Sequence, residues 1–460
     1  MRLASVIVIT AVLLCGDVAV AQSNRLVFRP SERHAGTAAR LTAVVQPVQP
    51  EQPVQPIPPQ PPEEVPQPPA DPALGMSLED LEAIALNNNP TLAAARANIA
   101  AARGKAWQAG LPPNPTAGYV SDEMGTSGTA GLQGAFVGQK FITGHKLMLN
   151  RAVVEREVMR AEQEWAAQRL RVLTDVRTHY YRALIAERRL RVAQELLGIG
   201  EKAERTADTL LRAQEARKID VLQAKIEADR ARIALQQTRN AHAAVWRALA
   251  AVVGRLDLPP QPLRGDSESG FPDLDWHATL GRLIANSPEM AAAAADVERA
   301  QWALRRAWAE RKPNIDAQVK LQYDTEVDDT VAGVAVGMPI PLWNRNQGGI
   351  SRQQAEITAA QNNVRRVELA LQQRLARAFQ NYADAKMAAE KYAKEILPNA
   401  QQTINLVTRG YEAGEVPFLD LLTVQRTYFQ ANLDYMDALE RLWSGYQLIE
   451  GMLLDASLSR

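Results

Sequence analysis

From Ser77 onward the chain is written twice, at an offset of about 200 residues. Asn89-Pro90 opens one Ala-rich helical stretch and Ser287-Pro288 opens another. Pro113-Asn114 closes the first, and Pro313-Asn314 closes the second. Gly138 in FVGQKFITG corresponds to Gly337 in VAVGMPIPL. KIDVLQA (Lys218–Ala224) corresponds to FLDLLTV (Phe418–Val424), which pairs Asp220 with Asp420. Matches in the same order at a nearly constant offset are not chance likeness between Ala-rich helices. Each copy reads as helix, two short strands, very long helix, sharp break and returning helix. The expected organisation is a signal peptide at 1–21, a Pro/Gln-rich leader at 22–76, a first repeat at 77–257, an inter-repeat loop at 258–275 and a second repeat at 276–455.

The long helices set the scale. Lys146 to Ala213 contains no Pro and only Gly198 and Gly200, so as one helix it spans roughly 100 Å. Val154, Val158, Trp165, Val172, Val176, Ala183, Leu190, Ala193 and Leu197 recur by threes, fours and sevens. Val364, Val367, Leu371, Leu375, Phe379, Tyr382, Ala389, Tyr392 and Ile396 do so in the second copy. A period near 3.5 predicts coiled-coil-like packing against neighbouring helices. A globular domain has no use for that length, whereas a structure crossing the periplasm does.

The strands carry a different period. Ile315, Ala317, Val319, Leu321 and Tyr323 alternate with Asp316, Gln318, Lys320, Gln322 and Asp324. One face is then apolar and the other holds every charge. The partner strand is expected near Val331 to Met338, and the first-copy pair near Thr116 to Asp122 and Leu132 to Phe141. Strands of about ten residues with this alternation fit a transmembrane β-barrel, and a soluble hairpin covering the helices fits the pattern equally well. Four strands cannot close a barrel, because about eight are needed. Open edges in lipid would leave backbone groups unpaired. Strands placed in lipid therefore require an oligomer that shares one barrel.

The N-terminus reads as an export signal: Arg2, an apolar run from Ser5 to Leu14, and the A-x-A site Ala19-Val20-Ala21. Cleavage after Ala21 removes Cys15, the single cysteine, and with it any disulfide or thiolate metal site. Leu14 sits where a lipoprotein needs a small residue. No later stretch has about 18 consecutive apolar residues, so entry into a membrane must use strands. Gln46 to Pro72 has the composition of an extended, coreless leader. Lys+Arg and Asp+Glu both number 52, which offers nucleic acid no general attraction.

YEAGEVPFLDLLTVQRTYFQANLDYMDAL (Tyr411–Leu439) resembles the second helix-hairpin tip and returning helix of the TolC-type outer-membrane efflux factors. EARKIDVLQAKIEADRARI (Glu215–Ile233) resembles the first-copy counterpart, and the resemblance covers about Ser77 to Asp455. MPIPLWNRNQGGI (Met338–Ile350) resembles the junction of the heavy-metal, cobalt–zinc–cadmium branch, whereas GQKFITGHK departs from the commoner glycine-pair form. The resemblance implies a mainly α fold with a small β part: antiparallel coiled-coil-like helices forming an α-barrel, and four strands per subunit in a trimeric transmembrane β-barrel. It implies a homotrimer in outer-membrane lipid, loaded by a periplasmic adaptor (membrane fusion) protein and an inner-membrane pump of the RND type. No cofactor and no enzymatic activity are expected.

By that resemblance Asp220, Asp420, Tyr411 and Arg409 are candidates for the periplasmic entrance. Carboxylates repeated around a trimer axis would favour cations. The competing reading for the aspartates is helix chemistry, since an acid in a first turn stabilises a helix start by about 0.3–1 kcal/mol. A packed helix-face residue is the competing reading for Tyr411. Gly414, Glu415, Val416, Pro417, Leu419 and Lys218 are candidates for adaptor docking. Gly414 and Pro417 make the second turn; the first copy has Ala216 and Lys218 instead, so its tip is expected to differ in shape. Val319, Leu321 and Tyr323 are the expected lipid-facing residues. The five histidines are scattered without metal-ligand spacing, and no phosphate loop, G-x-S-x-G or HExxH is present. A protein-secretion duct shares this architecture, and a soluble periplasmic coiled-coil scaffold is the rival class.

Overall fold

The computed structural model describes residues 75–125, 128 and 130–459. The expected signal peptide, the leader as far as Leu74 and part of the first strand-pair tip lie outside the described residues. The first repeat contains α1 (Leu78–Asn88), α2 (Pro90–Ala109), β1 (Thr116–Asp122), β2 (Leu132–Phe141), α3 (Lys146–Arg212) and α4 (Lys218–Val253). The second contains α5 (Trp276–Asn286), α6 (Pro288–Ala309), β3 (Ile315–Asp324), β4 (Asp329–Gly337), α7 (Gln347–Lys391), α8 (Leu397–Glu412) and α9 (Phe418–Glu450). The element order thus repeats as the sequence does.

Capping residues place the short helices. The Ser77 hydroxyl accepts from Asp80 N–H at 3.2 Å, and the Asp80 carboxylate accepts from Ser77 N–H at 3.0 Å, a reciprocal start for α1. Asn89 divides α1 from α2: its Oδ1 accepts from Thr91 N–H at 3.0 Å and its Nδ2 donates to Val252 O at 2.9 Å. Pro90 then takes the first helical position, where a missing N–H costs nothing. Ser287 and Pro288 hold the same places between α5 and α6.

α3 is one helix of 67 residues, about 100 Å long. Every residue of both expected seams is buried or half-buried, with Val172, Val176, Ala183 and Ala193 buried on α3 and Leu371, Leu375, Tyr382 and Ala389 on α7. α4 returns along α3, and α9 packs against α3, α7 and α8. Each half has its own apolar cluster, one around Val172, Val176, Leu249 and Val253, the other around Leu371, Leu375, Leu439 and Leu442. Tyr181 packs against both and stacks on Trp443 with centroids 4.0 Å apart. α7 runs into α8 through a π turn, Tyr392–Ile396, where Leu397 N–H reaches Tyr392 O. The wider turn precedes Pro398, which has no N–H to give the ladder.

The inter-repeat segment is tied to both halves. Trp246 Nε1 donates to Leu258 O at 3.0 Å and Trp443 Nε1 to Ser267 O at 2.9 Å. The halves also meet where strands join helices. Lys146, at 3% exposure, donates through Nζ to Lys312 O at 2.6 Å and Asn314 Oδ1 at 2.7 Å, and pairs with Glu310 at 3.4 Å. Burial alone would raise the Glu310 pKa, but Arg306 and Lys146 hold it below the ordinary carboxylate value.

The strands form one antiparallel sheet in the order β1-β2-β3-β4. β2 pairs with β3 across the repeats, from Leu132↔Asp324 to Phe141↔Ile315. β4 begins at Asp329, where Asp324 and Tyr323 of β3 pair with Asp329 and Thr330, and ends at Gly337, before Pro339, which cannot extend the ladder; both ends are slightly earlier than the alternation alone implied. β1 and β4 are outer strands with no second neighbour among the described residues.

Candidate functional site

The two hairpin tips are the same structure. In the first, Ala213 N–H reaches Thr209 O at 3.1 Å, Glu215 N–H reaches Leu210 O at 2.9 Å and Asp220 N–H reaches Arg217 O at 3.0 Å. In the second, Ala413 N–H reaches Arg409 O at 3.0 Å, Glu415 N–H reaches Gly410 O at 2.8 Å and Asp420 N–H reaches Pro417 O at 3.1 Å. The left-handed position is Gln214, at φ 65°, in one tip and Gly414, at φ 76°, in the other. The expected difference in shape is therefore absent. A constant offset sets Gln214 opposite Gly414 and Arg217 opposite Pro417, and main-chain hydrogen bonds make both turns.

The tip aspartates differ in their surroundings. Asp220 Oδ2 accepts from Arg217 N–H at 3.0 Å, and the Arg217 guanidinium reaches Oδ2 and Oδ1 at 3.3 Å each. Asp220 thus holds the start of α4, with its carboxylate largely covered. Asp420, in the first turn of α9, is exposed and forms no ion pair among the described residues. Tyr411 is buried, at 5% exposure, with its ring 5.7 Å from that of Phe418. It belongs to a cluster with Ala203, Ala207, Ala224, Leu421 and Leu422 that binds the two hairpins together. The Tyr411 hydroxyl has no hydrogen-bond partner among the described residues, and burial, followed by the nearby Asp220 charge, pushes its pKa up.

Arg409 is exposed, and its Nε donates to Asn405 O at 3.2 Å. Gly414, Glu415, Pro417, Leu419 and Lys218 are exposed. Val416 is half-buried over Gly410, where a Cβ would stand 2.6 Å from its Cγ2. Between α3 and α8, beside the tips, a groove of about 400 Å³ is lined by residues that include Lys202, Thr206, Arg409 and Glu412. The fold therefore brings the entrance and docking candidates to one end of the hairpins, with Tyr411 inside the packing.

At the other end, Val319, Leu321 and Tyr323 stand exposed on one face of β3. Register carries that face across the sheet: Val137 lies opposite Val319, Val334 opposite Val319 on the other side, and Tyr119 opposite Ala135. Tyr119, Val137, Phe141, Val334 and Val336 join the expected residues in one uncovered apolar surface. Their signal was present as alternation, but diluted by Gly and Ala in β2 and β4. On the opposite face Asp122 accepts from Lys320 Nζ at 2.8 Å and from Gln322 Nε2 at 3.1 Å. Gln322 is 7% exposed there. No described helix is long and apolar enough to cross a membrane. Among the described residues no cluster of three His, Cys, Asp or Glu side chains is arranged to hold a metal.

Paired long hairpins beneath four strands with one bare apolar face define a TolC-type outer-membrane efflux channel subunit. The chain belongs to the outer membrane efflux protein family, whose model matches residues 82–255 and 279–444, a family of channels rather than enzymes. It is 26% identical over 378 residues to the cobalt-zinc-cadmium resistance protein CzcC of Cupriavidus metallidurans, covering 82% of this chain and 90% of the relative. Its fold matches the outer membrane protein VceC of Vibrio cholerae with a TM-score of 0.66 at 18% identity, over 82% of this chain and 95% of that one. It matches CusC with a TM-score of 0.65 at 17% identity, over 82% of this chain and 91% of that one.

Proposed function

We propose that this chain is the exit duct of a tripartite efflux system. It works as a homotrimer that passively conducts substrate from a periplasmic adaptor and an RND-type inner-membrane pump to the exterior. The observation that carries this reading is the sheet. It has one continuous uncovered apolar face, a polar face and two outer strands whose outer edges have no partner among the described residues. Those features are costly in water and in lipid alike until copies share a closed barrel. Three copies give twelve strands, an ordinary barrel size. Helices of about 100 Å then carry the duct through the periplasm.

Heavy-metal cations are the proposed cargo. The relative named for cobalt, zinc and cadmium resistance supports them, as does the exposed Asp420 carboxylate at the tip. Adaptor docking falls to Gly414, Glu415, Val416, Pro417, Leu419 and Lys218, which two matching tips would repeat around the entrance. Light scattering of detergent-extracted protein should report a trimer, and planar bilayers should show cation-preferring channels. Recovery as a soluble periplasmic monomer would sink this reading.

A further inference from the structure

The apolar alternation of β4 does not stop where its ladder stops. Val334 and Val336, on the bare face, are followed at the same parity by Met338, Ile340 and Leu342. All are exposed, at 75% for Val334 and 71% for Ile340. Pro339 and Pro341 between them have no N–H to give the ladder, and the chain turns at Pro341, where Leu342 N–H reaches Ile340 O at 2.9 Å. Trp343 follows at 86% exposure, the most uncovered aromatic described. Such a side chain in water is an expensive ending for a strand unless something apolar receives it.

The acids beside it, Glu310 and Asp316, are paired with Lys146 and Arg306 and with Lys140, and the charges left over have one sign. Arg311, Lys312 and Arg345 lie at the same sheet–helix junction and form no salt bridge among the described residues. Arg311 sits over the exposed Trp308 ring at 5.3 Å, and Arg345 spends only its Nε, on Pro341 O at 3.3 Å. The far end of the sheet is the reverse: Glu123, Asp324, Glu326, Asp328 and Asp329 crowd the turns.

We propose that the Met338–Arg345 segment is a lipid anchor that fixes the sheet–helix junction at the periplasmic leaflet. Met338, Ile340 and Leu342 extend the acyl-facing surface. Trp343 takes the depth where acyl chains meet headgroups, as interfacial aromatics do. Arg311, Lys312 and Arg345 hold the phosphates of anionic phospholipid. The bare face of the sheet is continuous with this segment, and the junction's positive charge complements anionic headgroups. The inference rests on the bilayer reading of the sheet.

Its test uses the trimer reconstituted with phosphatidylglycerol or phosphatidylcholine whose acyl chains are brominated near the headgroup. The emission lost on Trp343→Phe belongs to Trp343. That difference emission should be quenched, and more strongly by brominated phosphatidylglycerol in mixed bilayers. Changing Arg311, Lys312 and Arg345 to Gln together should abolish the lipid preference and leave the quenching. Tyr323→Trp in the Trp343→Phe chain reports on the sheet itself. If Tyr323→Trp is quenched while Trp343 is not, a neighbouring copy covers the segment and the anchor is wrong. If neither is quenched, the bilayer reading falls and the anchor falls with it. Equal quenching by both lipids in the parent would remove the anionic part.

Discussion

Gln214 and Gly414 occupy equivalent left-handed positions, but only one lacks a Cβ. A side chain there costs roughly 1–2 kcal/mol against the ordinary helical region. Gln214→Gly should therefore stabilise the first tip, by up to about 1 kcal/mol after the added freedom of the unfolded chain is deducted. Gly414→Ala should weaken the second by about the same amount. Hydrogen exchange at the tip amides measures both, and equal protection in all three proteins would contradict the strain argument. Buried phenols make a pH prediction. Burial first, then Tyr181 and Glu79 beside Tyr180 and Glu268 and Asp266 beside Tyr435, push both phenols up to about 12 from an ordinary 10.0. The folded chain thus holds these protons more tightly than the unfolded one. Their contribution to stability is full below pH 10 and is lost as pH rises toward about 12. Melting temperature should fall over that window, less steeply in Tyr180→Phe and Tyr435→Phe; slopes unchanged by both substitutions would assign the fall to other groups.

A strand can be tested as a unit because register fixes which side chains share a face. Leu321→Arg near the midplane should cost about 2–4 kcal/mol, and less near an interface, whereas Gln318→Arg on the polar face should be mild. Folding of the reconstituted trimer at graded denaturant measures both, and equal tolerance would argue that β3 never enters a bilayer. The element order was legible because its signals are strong: β3 alternates charge with apolar bulk, α3 runs from Lys146 without Pro, and Pro90 and Pro288 mark helix starts. β4 was less legible because Val331, Gly333 and Ala335 soften its polar face. The shape of the first tip was misread because Ala216 and Lys218 were compared with Gly414 and Pro417, although backbone groups make the turn. The guanidinium that covers Asp220 was visible only as an Arg three residues before an acid. The burial of Tyr411 depends on the α3–α4 hairpin meeting the α8–α9 hairpin, which local sequence does not encode.

For the whole molecule, the question is whether the tip acids act on passing ions or only on their own helices, and here the two copies have diverged. Asp220 is committed to Arg217 and to the start of α4, and its charge is largely cancelled at close range. Asp420 is exposed and has no cation beside it among the described residues. In a trimer, symmetry would gather the Asp420 carboxylates around one axis, where like charges concentrate cations. Asp420→Asn should then lower cation preference in planar-bilayer recordings with little loss of stability. Asp220→Asn should do the opposite, destabilising the first tip by about 0.3–1 kcal/mol as the negative charge at the helix start is lost while leaving selectivity nearly intact. Arg217→Ala supplies the third arm, because uncovering the Asp220 charge should raise cation preference. If the acids serve only their helices, Arg217→Ala and Asp420→Asn will both leave the reversal potential where it was. That result, in an assembled trimer, would remove the tip carboxylates from the conduction path and leave the exit-duct reading to rest on the sheet and the long helices.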